Sequence, residues 1–205
     1  MTGMGVTLKI SLLSLILGTV LGALICGLRR SKTSVFRLFA KVYIAILRGS
    51  PVSMLLLLLY YGIFALSPLD SMSVAVLAFG MNTSAYVAEL MRTALDATDY
   101  GQAEAARTLG FSKWQAFRLI TLPQALEIAK PVYQSTIVNL IQWTSVVGYV
   151  SIADLTRVIN NFSARTMQPM FMLTVGVILY LALSYAVNGI FALHEIYKKR
   201  RWKNS

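Results

Sequence analysis

Eight uncharged polar side chains stand inside otherwise apolar stretches: Asn82, Thr83, Ser84 and Tyr86 in one, and Asn139, Gln142, Thr144 and Ser145 in another. Polar groups placed in hydrocarbon are costly, so they must face a cavity or another helix. Near a bilayer midplane they would offer donors and acceptors to a small polar solute. The plainer reading is helix–helix hydrogen bonding, worth roughly 0.6 kcal/mol per bond on average. Asn139 and Gln142 are three residues apart and share one helix face, which makes them the stronger candidate pair. Other chemistry is thinly provided. Cys26 is the single cysteine, so no internal disulfide can form, and as part of an apolar run it reads as a small apolar side chain. No G-x-x-x-x-G-K-[ST] phosphate loop occurs, no metal-ligand cluster is spaced along the chain, and the lone His194 reads as an interfacial residue.

The elements that must position these residues follow from composition. The 205 residues are 57% apolar and only 13% charged, against about 25% charged in ordinary soluble domains. Five runs contain no Asp, Glu, Lys or Arg: Ile10–Leu28, Gly49–Leu69, Ser71–Ala88, Pro131–Ala153 and Thr166–His194. Each is close to the ~20 residues that a helix needs to cross a bilayer. The chain therefore reads as an all-α polytopic membrane protein of about five spans. This excludes a soluble enzyme, a nucleic-acid binder and a secreted disulfide scaffold. The first run is too long for a signal-peptide core and lacks an A-x-A site, so it is kept as a mature helix.

The net charge of +11 is topological rather than a nucleic-acid footprint. Five spans put the termini on opposite sides, and 16 of the 19 basic residues then fall on one side, leaving Lys9, Arg157 and Arg165 for the other. The positive-inside rule places the N-terminus outside and the C-terminus in the cytoplasm. Span one carries Ser14, Gly18, Gly22 and Cys26 on one face, a small-residue stripe that admits a close helix from this chain or another. Residues 31–48 are amphipathic, with Arg37, Lys41 and Arg48 opposite Phe36, Phe39, Tyr43, Ile44 and Leu47. A helix on the inner surface follows, broken at Arg48-Gly49-Ser50-Pro51, where Ser50 is expected to cap the next helix and Pro51 to open it. Glu89 and Arg92 are spaced for a structural ion pair. Asp154–Pro169 is expected to hold a short outer helix.

Between spans three and four the segment Arg92–Lys130 is too polar to be buried in lipid and too short to be a domain. Ala94–Leu109 is rich in helix formers and ends at Gly110, a helix C-cap. Ser112 and Gln115 form a capping box that opens a second helix over Lys113–Ile120, with Pro123 marking its end or a kink. Ala105 and Ala106 leave room for a partner's backbone, and Phe111, Trp114 and Phe117 supply apolar anchors. On these residues alone, a solvated loop and a docking surface both remain open.

Glu104-Ala105-Ala106, Gly110, Ile120, Leu122 and Pro123 match the EAA-x3-G-x9-I-x-LP signature, and the chain resembles the permease subunits of ABC importers. Three further stretches resemble the polar amino acid branch of that family: Arg48-Gly49-Ser50-Pro51 with Tyr60-Tyr61-Gly62; Ala85-Tyr86-Val87-Ala88-Glu89 with Arg92; and Asn139 with Thr144-Ser145. The likeness runs from Thr7 to about Tyr197. It departs where members often carry Lys-Asp before the Thr-Ser pair; here Gln142-Trp143 stands. It departs again in the short lead-in ahead of span one.

The resemblance implies one type I transmembrane domain over residues 6–197 and a basic cytoplasmic tail over 198–205. The coupling segment, about 99–123, would dock a separate ATPase through Glu104, Ala105, Ala106, Gly110, Phe111 and Trp114. ATP and magnesium would be bound by that ATP-binding cassette pair, with no cofactor in this chain. The implied partners are the cassette pair, a second permease (identical or a sister chain), an extracytoplasmic substrate-binding protein and the lipid bilayer. The implied location is a bacterial inner membrane. The substrate path would use Asn82, Tyr86, Asn139, Gln142, Thr144 and Ser145. Open alternatives are an importer permease for another small solute, such as methionine or a quaternary amine, and a scaffold or sensor that docks an ATPase without transport.

Overall fold

The structure, a computed structural model, describes residues 3–203, with side chains to Tyr197. The side chains of the basic tail, 198–205, therefore lie outside the described residues. Where described, the chain is mostly helical, with no strand among those residues. The first apolar run becomes α1 (Gly3–Arg29), about 40 Å long at 1.5 Å per residue. The amphipathic segment is α2 (Ser34–Gly49), followed by α3 (Val52–Leu57), which continues as a π-helical turn over Leu58–Ile63. The third run is α4 (Ser71–Asp96). Next come α5 (Tyr100–Thr108) and α6 (Lys113–Ala116). A π-helical turn, Phe117–Thr121, joins α6 to α7 (Leu122–Trp143), and a 3-10 segment follows over Thr144–Val150. The chain ends in α8 (Leu155–Thr166) and α9 (Pro169–Lys203).

Three of these are each long and apolar enough to cross a membrane: α1, α4 and α9 to Tyr197. Two bent pairs raise the number to five: α2 with 52–63 at 107°, and 113–150 with α8 at 59°. The break expected at Arg48–Pro51 is the 107° bend, but its chemistry differs from the expectation. Ser50 Oγ donates back to the Ile46 carbonyl at 2.8 Å, and Pro51 itself stands at the N-cap of α3. With Pro51 at the N-cap, Ser50 stands one residue outside that position and α3 opens without a side-chain cap. The helical part of the second run spans only residues 52–63, about 18 Å, well short of a hydrocarbon core of about 30 Å.

The core is the α1–α4 pair. Gly18 and Gly22 let the backbones approach: a Cβ at Gly18 would lie 2.7 Å from Thr83 Cβ, and one at Gly22 2.7 Å from Val87 Cβ. The small-residue stripe of span one thus finds its partner in its own chain. Around it, Ile10, Leu56, Phe79, Leu140, Val147 and Val150 close one buried cluster from five helical segments. Ala40, Ile44 and Leu47 seat α2 on the other end of the pair, while Phe36 and Phe39 remain exposed. Along the rest of its length α9 leaves most of its apolar surface open, as a lipid-facing helix does.

Polar contacts fix the remaining helices. Thr19 and Tyr133 hydroxyls meet at 2.7 Å between α1 and α7, and Gln134 donates to Asn188 at 2.7 Å between α7 and α9. Asp70 caps α4 by accepting from the Ser73 amide, and the contact with Ser73 holds its carboxyl below the usual carboxylate range. Glu89 accepts from Arg92 at 2.6 Å, as its spacing anticipated. The pair belongs to a larger cluster at the α1–α4 end: Arg29 lies 3.6 Å from Glu89, Arg92 2.7 Å from Asp96, and Arg30 donates to Asp96.

Candidate functional site

The segment between α4 and α7 is built by local chemistry. It departs from the expected single helix over Ala94–Leu109: α4 runs to Asp96, and α5 starts afresh at Tyr100. Asp99 causes the break by accepting from the Gly101 amide at 2.9 Å, which makes it the N-cap of α5. Gly110 then takes φ +94°, a conformation that side chains resist, and turns the chain between α5 and α6. The capping box forms in both directions, Gln115 N to Ser112 Oγ at 3.2 Å and Ser112 N to Gln115 Oε1 at 2.8 Å. Pro123 does not end the second helix. The π-helical turn at Phe117–Thr121 comes just before it and reorganises the ladder in which proline's missing N–H would otherwise leave a gap, so the helix continues into α7.

The two short helices present an outward face. Glu104, Ala105 and Gly110 are exposed, as are Phe111 at 40%, Trp114 at 65% and Leu109 at 80%. Trp114 stacks on Phe117 with centroids 5.7 Å apart, which stiffens the apolar surface. Ala106 departs from the expected role: it is 4% exposed and packs inside the chain, because α5 needs a small residue on its inner face. Among the alanine pair, only Ala105 is open to a partner.

The polar residues of the spans divide into three groups. Asn82 and Thr83 are buried in α4, and Asn82 Oδ1 and Thr83 Oγ1 have no hydrogen-bond partner among the described residues. Tyr86 packs on Trp143 at 5.4 Å, with the Arg48 guanidinium 5.1 Å from its ring centre, so the three resemblance stretches meet here. Asn139 and Gln142 share the exposed face of α7 together with Ser135. Thr144 is wholly buried, and its hydroxyl donates to the Ile141 carbonyl at 2.7 Å.

Ser145 opens instead into a cavity of about 500 Å³ between the 3-10 segment and α8, lined also by Tyr149, Thr156, Arg157, Asn160 and Asn161. Thr156 and Asn160 also line a second cavity of about 350 Å³, shared with Gln142, Tyr180 and Ser184. The two cavities share Thr156 and Asn160 of α8, and the second, mostly apolar, reaches Gln142 at the C-terminal end of α7. Asp154, wholly buried in that turn, accepts from the amides of Thr156 and Arg157 at 3.1 and 3.0 Å. Sequence alone marks Arg157 only as an outer basic residue and gives Asn160 and Asn161 no role. Their signal was a mid-segment Arg-x-x-Asn-Asn, which helix periodicity alone places on two faces.

Residues 10–196 match the family model for the binding-protein-dependent transport system inner membrane component. A probable amino-acid ABC transporter permease protein of Bacillus subtilis, YckA, is 35% identical over 88% of this chain and 80% of its own length. The histidine/lysine/arginine/ornithine permease HisM of Escherichia coli K12 is 30% identical over 98% of this chain and 87% of its own. Among solved structures, an amino acid ABC transporter with histidines superposes with a TM-score of 0.86 at 29% identity, covering 95% of this chain and 92% of that one. The MetNI methionine transporter superposes at 0.72 with 20% identity, covering 92% of each chain, a likeness of fold. Taken with the helical architecture, these matches show that the chain belongs to the family of binding-protein-dependent transport system inner membrane components and is a multi-pass permease subunit of an ABC importer, not its ATPase.

Proposed function

We propose that this permease moves a polar amino acid, received from an extracytoplasmic binding protein, into a bacterial cytoplasm through the inner membrane. The relatives' named cargoes support the amino acid class. In this reading the end carrying α5 and α6 faces the cytoplasm, and the cavities beside α8 face outward. The observation that carries the coupling role is the exposed face of α5 and α6, with Trp114 and Leu109 held out by Gly110 and the capping box. A solvated loop has no reason to order large apolar side chains outward; a docking surface does. An ATP-binding cassette pair, carrying ATP and magnesium, closes on this face in two permeases at once. The second permease is this chain again or a sister, and the open polar stripe of Ser135, Asn139 and Gln142 on α7 lies along the path between them.

The test is co-purification in mild detergent, with mass spectrometry of what is retained, followed by radiolabelled uptake over an amino acid panel in proteoliposomes. The intact chain should retain an ATPase and import at least one polar amino acid. The Glu104→Lys, Gly110→Pro variant should lose both while keeping its melting temperature. An ATPase retained equally by both forms would overturn the coupling assignment.

A further inference from the structure

The 500 Å³ cavity beside α8 contains one charged side chain, and its chemistry is specific. Arg157 Nη1 donates to the Gly148 carbonyl at 2.7 Å, which ties one arm of the guanidinium to the end of the 3-10 segment. No carboxylate lies within ion-pair distance of it among the described residues, although Asp154 is only three residues away. The Asp154 oxygens face the other way, into the amides of Thr156 and Arg157. These amides are the free N–H groups of α8's first turn, so the helix terminus is already occupied by an acid of this chain. What remains is a guanidinium anchored through one N–H, on a side chain that lines the cavity. The neighbouring polar side chains are Ser145, Asn160 and Asn161. Thr156 is already paired with Tyr180 at 2.8 Å.

An arginine fork binds a carboxylate in two parallel hydrogen bonds, and a partly buried cation without a counter-charge favours an anion to supply one. The volume lies within the range of about 300–1,000 Å³ found for small-molecule sites. We infer that Arg157 receives the α-carboxylate of the transported amino acid, with Ser145, Asn160 and Asn161 completing the polar ring. The inference rests on the amino acid reading above. The second cavity, which shares Thr156 and Asn160 with the first, is walled by Ile159, Leu173 and Val177 as well as by Gln142 and Ser184. A substrate held by its carboxylate at Arg157 extends its side chain along that wall, so Arg157 reads what all amino acids share and the second cavity reads what distinguishes them.

The test uses the purified permease–ATPase complex in nanodiscs, without binding protein, because that protein would impose its own selection. The probe is the radiolabelled amino acid that the intact complex imports. The competitors are the same amino acid and its α-carboxamide, which has the same shape without the charge. In the intact complex the free acid should compete about 30-fold better than the amide, the scale of a charge-assisted hydrogen bond. Arg157→Gln should bring that ratio to within about threefold by weakening the acid far more than the amide, and Arg157→Lys should fall between. A merely structural arginine would weaken both competitors alike. That outcome, or a ratio unchanged in Arg157→Gln, overturns the proposal. If Arg157→Gln fails to assemble, Arg157→Lys decides by the same ratio, since a point charge cannot reproduce the fork. If the intact complex imports no amino acid, the cargo reading falls first. If it imports one and the ratio ignores Arg157, this inference falls alone.

Discussion

At the scale of single residues, the tightest constraints are glycines that admit another backbone. Gly18 faces Thr83 and Gly22 faces Val87, with no room for a Cβ at either. Gly18→Val forces α1 away from α4, at a cost of about 1–3 kcal/mol or more for overpacking. A melting curve in detergent should show the loss as a lower transition temperature and reduced yield. Gly27 is the control. It lies in the same helix with nothing within 4 Å of a built Cβ, so Gly27→Ala should match the parent or gain up to about 1 kcal/mol from helix propensity. Equal effects of the two substitutions would remove the close-packing account of this pair.

At the scale of elements, the α5–α6 pair depends on one backbone conformation. Gly110 holds φ +94° in open space, so a side chain there meets no neighbour and the whole penalty is conformational. Gly110→Ala should cost about 1–2 kcal/mol of local order. Amide hydrogen exchange should then quicken across 100–116 and nowhere in α1 or α4, and ATPase retention should weaken by about tenfold. Uniform quickening along the chain would mean that the turn is tied into the core rather than standing on its own. The capping box and the glycine were both legible before any coordinates, because each acts within three or four residues. The break at Asp99 and the continuity through Pro123 were not. The first depends on an aspartate winning a capping contest inside a run of good helix formers, and the second on a π-helical turn that no propensity scale contains.

At the scale of the whole molecule, the basic residues and the helix directions make one prediction about sidedness. In a Cys26→Ala background, Leu66→Cys and Arg165→Cys lie at the end that faces outward in our reading, and Lys113→Cys lies at the other; all three positions are exposed. A membrane-impermeant maleimide applied to intact cells should label the first two and reach the third only after permeabilisation. The reverse pattern would invert the positive-inside argument and place the Arg157 cavity in the cytoplasm.

What the sequence determined by itself is what short-range physics can decide. Three of the uncharged runs specify the spans α1, α4 and α9, glycines four residues apart specify a close helix partner, and Ser112 with Gln115 specifies a helix start. Which helix fills the Gly18–Gly22 face, and whether Ala106 looks outward, required the packed molecule. So did the cavity beside α8. Ser151 takes a left-handed φ of 63°, a conformation with no strong signature outside glycine and asparagine, and α8 leaves at a bend of 59°. That turn brings Arg157 to the Gly148 carbonyl and places Asn160 at both cavities. Residues separated by a turn of unpredictable geometry become neighbours only when the rest of the fold selects that geometry, so the candidate site belongs to the tertiary structure even though the family signature did not.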